Sequence, residues 1–338
     1  MKVVENISLK YLNTFGVDVN SKYFVEIYSE EELKQVLNSE EYSNQQKLIL
    51  GGGSNILFTK DFDGLVIKNS ISGIKLLDED SNKVIVEAGA GVIWEELVQY
   101  CVDRNYGGIE NLSYIPGTVG AAPIQNIGAY GQELEETFSD LNGIYVDTLE
   151  TKNFNKSECS FSYRNSIFKN ELKNKFIITS VRLELNKNPN VNLSYNPVKE
   201  EAEKRNITHP TIKDIREIVI NIRKSKLPDP VEIGNAGSFF KNPVIAKEKF
   251  KVLKKEYPDL KHFFVDEDNV KIPAAWLIEK CGWKSKRIGD AGTHAKQPLV
   301  IVNYGNASGK EIYEISTMIK IDVKTNFDIS LENEVNIL

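Results

Sequence analysis

Histidine and cysteine are scarce in this chain, with three of each among 338 residues. Cys101, Cys159 and Cys281 lie far apart, an odd set with no short spacing, so neither a disulfide framework nor a thiolate zinc site is expected. His209, His262 and His294 are equally isolated, and no metal site is expected. No apolar run approaches the ~18 residues that a membrane-crossing helix needs. Met1 to Gly16 holds no apolar stretch of the length found in secretory signals. A cytoplasmic location without a membrane partner is therefore expected. Basic blocks are missing too, and the net charge is −6. Affinity for a phosphate backbone comes mostly from clustered Lys and Arg, so no nucleic-acid partner is expected. A small anion remains within reach, because a few local cations suffice to bind one.

What is present is enough apolar residue for ordinary cores, 41% of the chain, and a length that suggests two domains at roughly 150 residues each. Leu33, Val36 and Leu37 share one face of a helix over Glu30 to Asn38, and Lys47 to Leu50 reads as a short strand. Leu65 to Ile67 and Lys83 to Glu87 are further strands. Trp94, Leu97, Val98, Cys101 and Val102 recur at helical spacing, which makes Cys101 core filler. Ile144 to Val146 and Phe176 to Leu185 are β-like. Asn186 to Pro210, polar with three prolines, reads as the link between two halves. Beyond it, Ile212, Ile215, Val219 and Ile222 line a helix with Thr211 as N-cap, ending before Leu227-Pro228. Pro273 opens a helix to Cys281 that Gly282 stops. Ser308 and Glu311 form a capping box for a last helix carrying Ile312, Ile315, Ile319 and Val323. Strands at Leu299 to Asn303 and Ile329 to Leu331 flank that helix. The class is α+β.

Four segments carry candidate chemistry. Gly51-Gly52-Gly53-Ser54-Asn55 follows a strand; consecutive glycines let backbone approach a ligand and aim N–H groups at an anion such as a pyrophosphate, although a tight turn would look the same. A phosphate-binding P-loop would need Lys-Ser or Lys-Thr after the last glycine, and a G-x-G-x-x-G fingerprint fails at Gly89-Ala90-Gly91. A dinucleotide, if bound, uses another fold. Ile115 to Gly131 packs four glycines, two prolines and three alanines into 17 residues, a poor helix or strand that can lie flat against a planar ring. Arg164 stands among Phe161, Tyr163 and Phe168; it is either a surface cation over a ring or, if buried, the holder of an anion. Ser238, in Gly234 to Pro243, has no nucleophile elbow and no nearby histidine, so it is a candidate proton donor rather than a hydrolase nucleophile, with a capped turn as the alternative.

With these segments in this order and at this spacing, the chain resembles the UDP-N-acetylenolpyruvoylglucosamine reductase family along nearly its whole length. Asn13-Thr14-Phe15-Gly16, Gly51 to Asn55, Ile115 to Gly131, Tyr163 to Ser166, Lys226 to Pro230, Gly234 to Pro243 and Leu331 to Val335 carry the match. The resemblance implies an FAD-binding region of the vanillyl-alcohol oxidase-like type over residues 1–205, in two α+β subdomains of about 1–70 and 71–205. An α+β substrate-binding domain over 206–338 is implied to follow, with the tail 326–338 returning Glu334 to the active site. FAD would touch Gly51, Gly52, Gly53, Ser54, Asn55, Pro116, Gly117, Thr118, Gly120, Ala121, Gln125, Asn126, Gly128 and Ala129. Tyr195 looks like the mobile-loop tyrosine of the family's first type, which closes over the substrate.

The activity so implied is reduction of UDP-N-acetylglucosamine enolpyruvate to UDP-N-acetylmuramate, for peptidoglycan, by a monomer. NADPH reduces FAD and leaves; the reduced flavin then gives a hydride to the enolpyruvyl group, and Ser238 donates the following proton. Arg164 and Glu334 would flank the substrate carboxylate, Glu334 being compatible with that charge if protonated or hydrogen-bonded to Arg164. Tyr130, Tyr195, Lys226, Asn242 and Gln297 would hold the substrate, chiefly its UDP portion. Neighbouring Arg223 reads as a solvated helix-end cation. Glu332-Asn333-Glu334-Val335 departs from the family's frequent Glu-Pro-Glu-Val. Two other readings stay open: a flavin oxidase or dehydrogenase of the same fold acting on an alcohol or sugar, which would make hydrogen peroxide, and a non-catalytic nucleotide-sugar binder, which would take up no flavin.

Overall fold

The computed structural model describes residues 2–338. The chain forms two compact units. One comprises residues 1–7, 20–53 and 62–225; the other comprises 8–19, 54–61 and 226–338.

The first unit is built on two sheets. A four-stranded sheet runs in the order Val4–Ser8, Asn20–Ile27, Phe62–Asn69, Gln46–Leu50, the last three being mutually parallel neighbours. The run Leu65 to Ile67 is its buried centre, apolar on both faces as a parallel strand requires. Helix Glu30–Leu37 packs Leu33, Val36 and Leu37 onto it, and Ser29 caps that helix by accepting from the Glu32 N–H. A five-stranded antiparallel sheet runs Thr151–Asn155, Phe138–Tyr145, Phe176–Asn186, Lys83–Gly89, Ile74–Glu79. Helix Trp94–Asp103 buries Trp94, Leu97, Val98, Cys101 and Val102 in the core beneath it. Cys101 is core filler, and its burial pushes the thiol up to about 12.

The stretch 186–210 is more than a link. It contains helix Asn196–Lys204, which starts with Pro197 in its first turn, where a missing N–H costs nothing. Val198 and Ala202 pack on Ile215, Ile218, Val219 and Ile222 of helix Ile212–Lys226. With only two buried side chains and a polar remainder, this short helix is stabilised by its neighbour and not by its own periodicity. Thr211 caps the longer helix as expected, its hydroxyl accepting from the Asp214 N–H at 3.3 Å.

In the second unit a four-stranded antiparallel sheet runs Gly234–Ser238, Val300–Asn303, Ala291–Thr293, Arg287–Ile288. Helix Gly309–Phe327 begins with the expected capping box, Ser308 and Glu311 each accepting the other's backbone N–H. A second sheet joins Val244–Ala246, Asn269–Lys271 and Phe263–Phe264. Ile329 to Leu331 is not a strand. Ile329 and Leu331 are buried, but the tail's only ladder is Asn336–Ile337, parallel to Ile56–Leu57. Segment 8–19 is folded around buried Asn13, whose amide donates to the Leu9 and Val17 carbonyls and whose oxygen accepts the Val17 N–H. No described helix is long and apolar enough to cross a membrane.

Candidate active site

Strand Gln46–Leu50 leads directly into Gly51 to Asn55, and the boundary between the two units falls between Gly53 and Ser54. On the first unit's side, Gly51 and Gly52 lie against Thr118 and Gly117 of the second glycine-rich segment. A side chain on Gly51 would collide with the Thr118 hydroxyl, and one on Gly52 would come within 3.1 Å of the Gly117 Cα. Two turns far apart in sequence are thus in backbone contact, a surface with no room for Cβ atoms. The second segment is anchored from behind: the Val119 and Gly120 N–H groups donate to the Val92 and Ala90 carbonyls, and the Trp94 N–H to that of Gly117. It proceeds through tight turns at Val119–Ala121 and Pro123–Gln125 to Asn126 in the left-handed region, φ 42°. A flat backbone cradle of this kind suits a dinucleotide, whose pyrophosphate and ring system both require close approach.

Arg164 is a non-glycine residue at φ 54°, a conformation that surrounding structure must hold in place and that clusters at functional sites. Its guanidinium lies on the end of the same glycine-rich segment. It donates to the Gly128 carbonyl, and to that of Asn126 at 3.4 Å, while its Cζ sits 5.2 Å from the Tyr163 ring centre. The arginine is thus a cation near a ring, with its fork on backbone carbonyls. Ser166 fixes the adjoining turn by donating to the Ile124 carbonyl at 2.7 Å. Asn126 ties the same region together, accepting from the Glu135 N–H and donating to Glu133.

Tyr130 and Tyr195 meet edge to face, ring centres 5.4 Å apart. Burial pushes both phenols above their usual range. Arg223 joins them, which corrects the expectation of a solvated helix-end cation. It is only partly exposed, its Nε donates to the Tyr114 carbonyl at 2.9 Å, and its charge interacts with the Tyr130 phenol. Burial pulls its pKa down from the usual arginine value, with Tyr130 opposing. The signal was present in the sequence: Arg223 is four residues after Val219 and adjoins Ile222, so it lies on the flank of the apolar stripe, not opposite it. Glu95 completes this corner, accepting the Tyr114 N–H and pairing with Arg216 at 2.5 Å.

In the second unit, Ser238 ends strand Gly234–Ser238 opposite Val300, after a register shift that follows Asn235. Phe239 and Phe240, fully buried, lock the next two positions. The tail runs alongside. The Lys241 N–H donates to the Glu332 carbonyl, Phe240 bridges Asn333, and the Glu334 N–H donates to the Phe239 carbonyl at 2.8 Å. Glu334 therefore sits one strand spacing from the residue after Ser238, and Asn55 donates to the Glu334 carbonyl at 3.3 Å. Asn333 leaves its buried Oδ1 without a hydrogen-bond partner among the described residues. Asn242 caps helix Ala274–Lys280, its Oδ1 accepting the Ala274 N–H at 2.9 Å. Gln297 is in the turn before Val300, and Lys226 is the last residue of its helix. Among the described residues no group of three His, Cys, Asp or Glu side chains is placed to hold a metal.

Residues 229–338 match the family model of the UDP-N-acetylenolpyruvoylglucosamine reductase C-terminal domain, and residues 21–145 match an FAD binding domain. Over 339 aligned positions, covering all of both chains, the sequence is 50% identical to the UDP-N-acetylenolpyruvoylglucosamine reductase of Flavobacterium johnsoniae. The chain belongs to the UDP-N-acetylenolpyruvoylglucosamine reductase family. It is also 41% identical to the reductase of Pseudomonas putida, with 98% of each chain covered. The crystal structure of the Thermus caldophilus reductase superposes with a TM-score of 0.68 at 25% identity, over 100% of this chain and 99% of that one. The expected class stands: an α+β flavoprotein with an FAD-binding region and a C-terminal domain characteristic of these reductases.

Proposed function

We propose that the protein reduces UDP-N-acetylglucosamine enolpyruvate to UDP-N-acetylmuramate, an oxidoreductase step of peptidoglycan precursor synthesis, using FAD and taking its electrons from NADPH. The observation that carries this reading is the 50% identity along the whole length of a relative of that name. The protein acts as a monomer in the cytoplasm.

FAD, when bound and reduced by NADPH, would supply hydride chemistry at the terminal carbon of the enolpyruvyl group. The chain's own residues do the rest. Gly51, Gly52, Gly53, Ser54 and Asn55 hold the pyrophosphate with backbone N–H groups and short side chains. Pro116, Gly117, Thr118, Gly120, Ala121, Gln125, Asn126, Gly128 and Ala129 would hold the rest of the cofactor.

As the hydride arrives, electron density moves into the substrate carboxylate. Arg164 offsets that charge, its guanidinium fork already oriented by the Asn126 and Gly128 carbonyls. Donors fixed before the reaction act without reorganising, and one such group is worth about 3 kcal/mol of barrier. Glu334 flanks the same carboxylate. Ser238 gives its hydroxyl proton to the carbon next to the carboxylate, which sets the stereocentre of the lactyl group. A serine at the end of a strand backed by two buried phenylalanines suits that task, because the hydroxyl's origin cannot drift. Tyr130, Tyr195, Lys226, Asn242 and Gln297 hold the UDP portion, with Lys226 a point charge for the diphosphate.

The test is a single half-reaction. Protein loaded with FAD and reduced without oxygen is mixed with UDP-N-acetylglucosamine enolpyruvate. Return of the oxidised flavin's visible absorbance together with UDP-N-acetylmuramate supports the proposal. Reduced flavin that persists in the presence of the sugar nucleotide defeats it.

A further inference from the structure

Asn111 lies in the short turn Glu110–Leu112 and is 1% exposed. Its amide nitrogen directs one N–H to the Tyr130 carbonyl at 2.9 Å and the other to the Asn192 carbonyl at 3.1 Å. Asn192 in turn donates to the Gly131 carbonyl at 2.9 Å, while its own oxygen accepts the Ser194 N–H at 2.9 Å and the Ser194 hydroxyl at 2.6 Å. Two asparagine amides therefore stitch Tyr130–Gly131 to residues 192–194, immediately before Tyr195. At Gly131 the strands of this stitch are so close that a Cβ would meet the Ser194 hydroxyl region.

The geometry is one-sided. The Asn111 Oδ1 is buried with no hydrogen-bond partner among the described residues. Leaving a buried acceptor unsatisfied is unfavourable, yet a flip of the amide would face oxygen against two carbonyl oxygens. The orientation is fixed by the need for two donors at that point. Aspartate, with the same shape, offers none when ionised.

We infer that Asn111 is a positioning residue for the reaction: with Asn192 it latches the Tyr195 segment onto Tyr130, so that the two tyrosines form one preassembled wall for the nucleotide portion of the substrate. The inference rests on the proposed contact of Tyr130 and Tyr195 with that substrate. The rings meet edge to face beside the backbone stitch. Val191, Leu193, Tyr195 and Ile207 lean on the small core of helices Asn196–Lys204 and Ile212–Lys226, a satellite cluster of six buried side chains. Such a cluster holds its flank weakly, which leaves the amide latch to set the resting position.

The experiment uses FAD-loaded full-length protein and the variants Asn111→Asp, Asn111→Ala, Asn192→Ala and Tyr195→Ala. Hydrogen exchange is followed for peptides spanning 190–196 and, as an internal reference, the strand Phe176–Asn186. Each asparagine variant is expected to speed exchange in 190–196 by about tenfold, the worth of one ordinary hydrogen bond, with the reference strand unchanged. The KM for the sugar nucleotide should rise by a similar factor while kcat stays within about twofold. Unchanged exchange in 190–196, or acceleration spread equally over the reference strand, overturns the latch. If the Asn111 variants fail to fold, Asn192→Ala carries the same two readouts from the solvent side. The underlying reading is separable. Tyr195→Ala with an unchanged KM removes Tyr195 from the substrate, whereas a raised KM for Tyr195→Ala beside normal asparagine variants rejects only the latch.

Discussion

Arg164 and Ser238 are held in place by opposite means. Arg164 occupies a strained left-handed turn outside any long strand or helix, and its side chain is aimed by carbonyl oxygens of a neighbouring loop. Ser238 belongs to a hydrogen-bonded strand, and the two residues after it are core phenylalanines. A charge has to be directed at its target and tolerates a loop, provided enough acceptors fix the fork. A hydroxyl that delivers one proton to one face of a carbon needs an anchor that does not move. On the proposed mechanism the two parts of the chemistry are protected against different failures: misorientation at Arg164 and displacement at Ser238.

Substitutions test that contrast. The largest effect is expected for Ser238→Ala, which removes the donor and leaves its anchor intact. Sugar reduction by the reduced enzyme should slow by roughly 10²- to 10⁴-fold, the usual worth of a positioned acid, while NADPH-driven bleaching of the flavin keeps its rate; an unaltered single-turnover rate would take the proton-donor role from Ser238. Next comes Arg164→Lys. A point charge cannot rest on two carbonyls and a carboxylate at once, and a loss of roughly 10²- to 10³-fold in the same step is expected; near-normal turnover would show that charge alone suffices. Asn242→Ala should be smaller and different in kind. It uncaps helix Ala274–Lys280, so the denaturant midpoint should fall by an amount equivalent to about 1 kcal/mol; a large rise in KM with no stability change would reverse the balance between its two roles.

The smallest effect concerns Asp328, which accepts from Lys324 at 2.6 Å and Lys249 at 2.9 Å and has its pKa held down to about 2. A carboxylate whose folded pKa is depressed adds stability above its unfolded value of 3.8, and loses it as pH falls through about 2. An asparagine side chain would tolerate the left-handed backbone that Asp328 adopts, φ 52°. Asp328→Asn should therefore melt slightly lower than the parent at neutral pH, with the gap closing in strong acid; a gap that persists there would assign the effect to packing.

Much of the fold was legible because its periodicity is strong. The apolar stripes of helices Glu30–Leu37, Trp94–Asp103, Ile212–Lys226 and Gly309–Phe327 all point to the buried side chains found there. What escaped was structure created by neighbours. Helix Asn196–Lys204 is polar and short, and a proline at its start reads as a loop until Val198 and Ala202 are seen against Ile215 and Val219. Ile329 and Leu331 alternate like a strand but are buried by side-chain packing without a ladder. No local pattern says that residues 8–19 and 54–61 pack with the C-terminal unit, since that depends on contacts such as the Asn235 N–H on the Thr14 carbonyl. The glycine-rich segments and the surroundings of Arg164 and Ser238 drew attention as unusual composition, and Glu334 only through the family resemblance. Asn111 and Asn192 did not, because a single amide reveals its role only through the carbonyl it faces.

The contact between Gly51 and Thr118 reaches beyond this molecule. The threonine side chain already fills the volume that any larger residue at position 51 would claim. The two sites share one parcel of space and cannot drift independently. In a library randomised at both, survivors should trade bulk, with alanine at 51 tolerated beside glycine or another smaller residue at 118 and rarely beside threonine. Where evolution or an engineer wishes to reshape this loop, the unit of change is the pair.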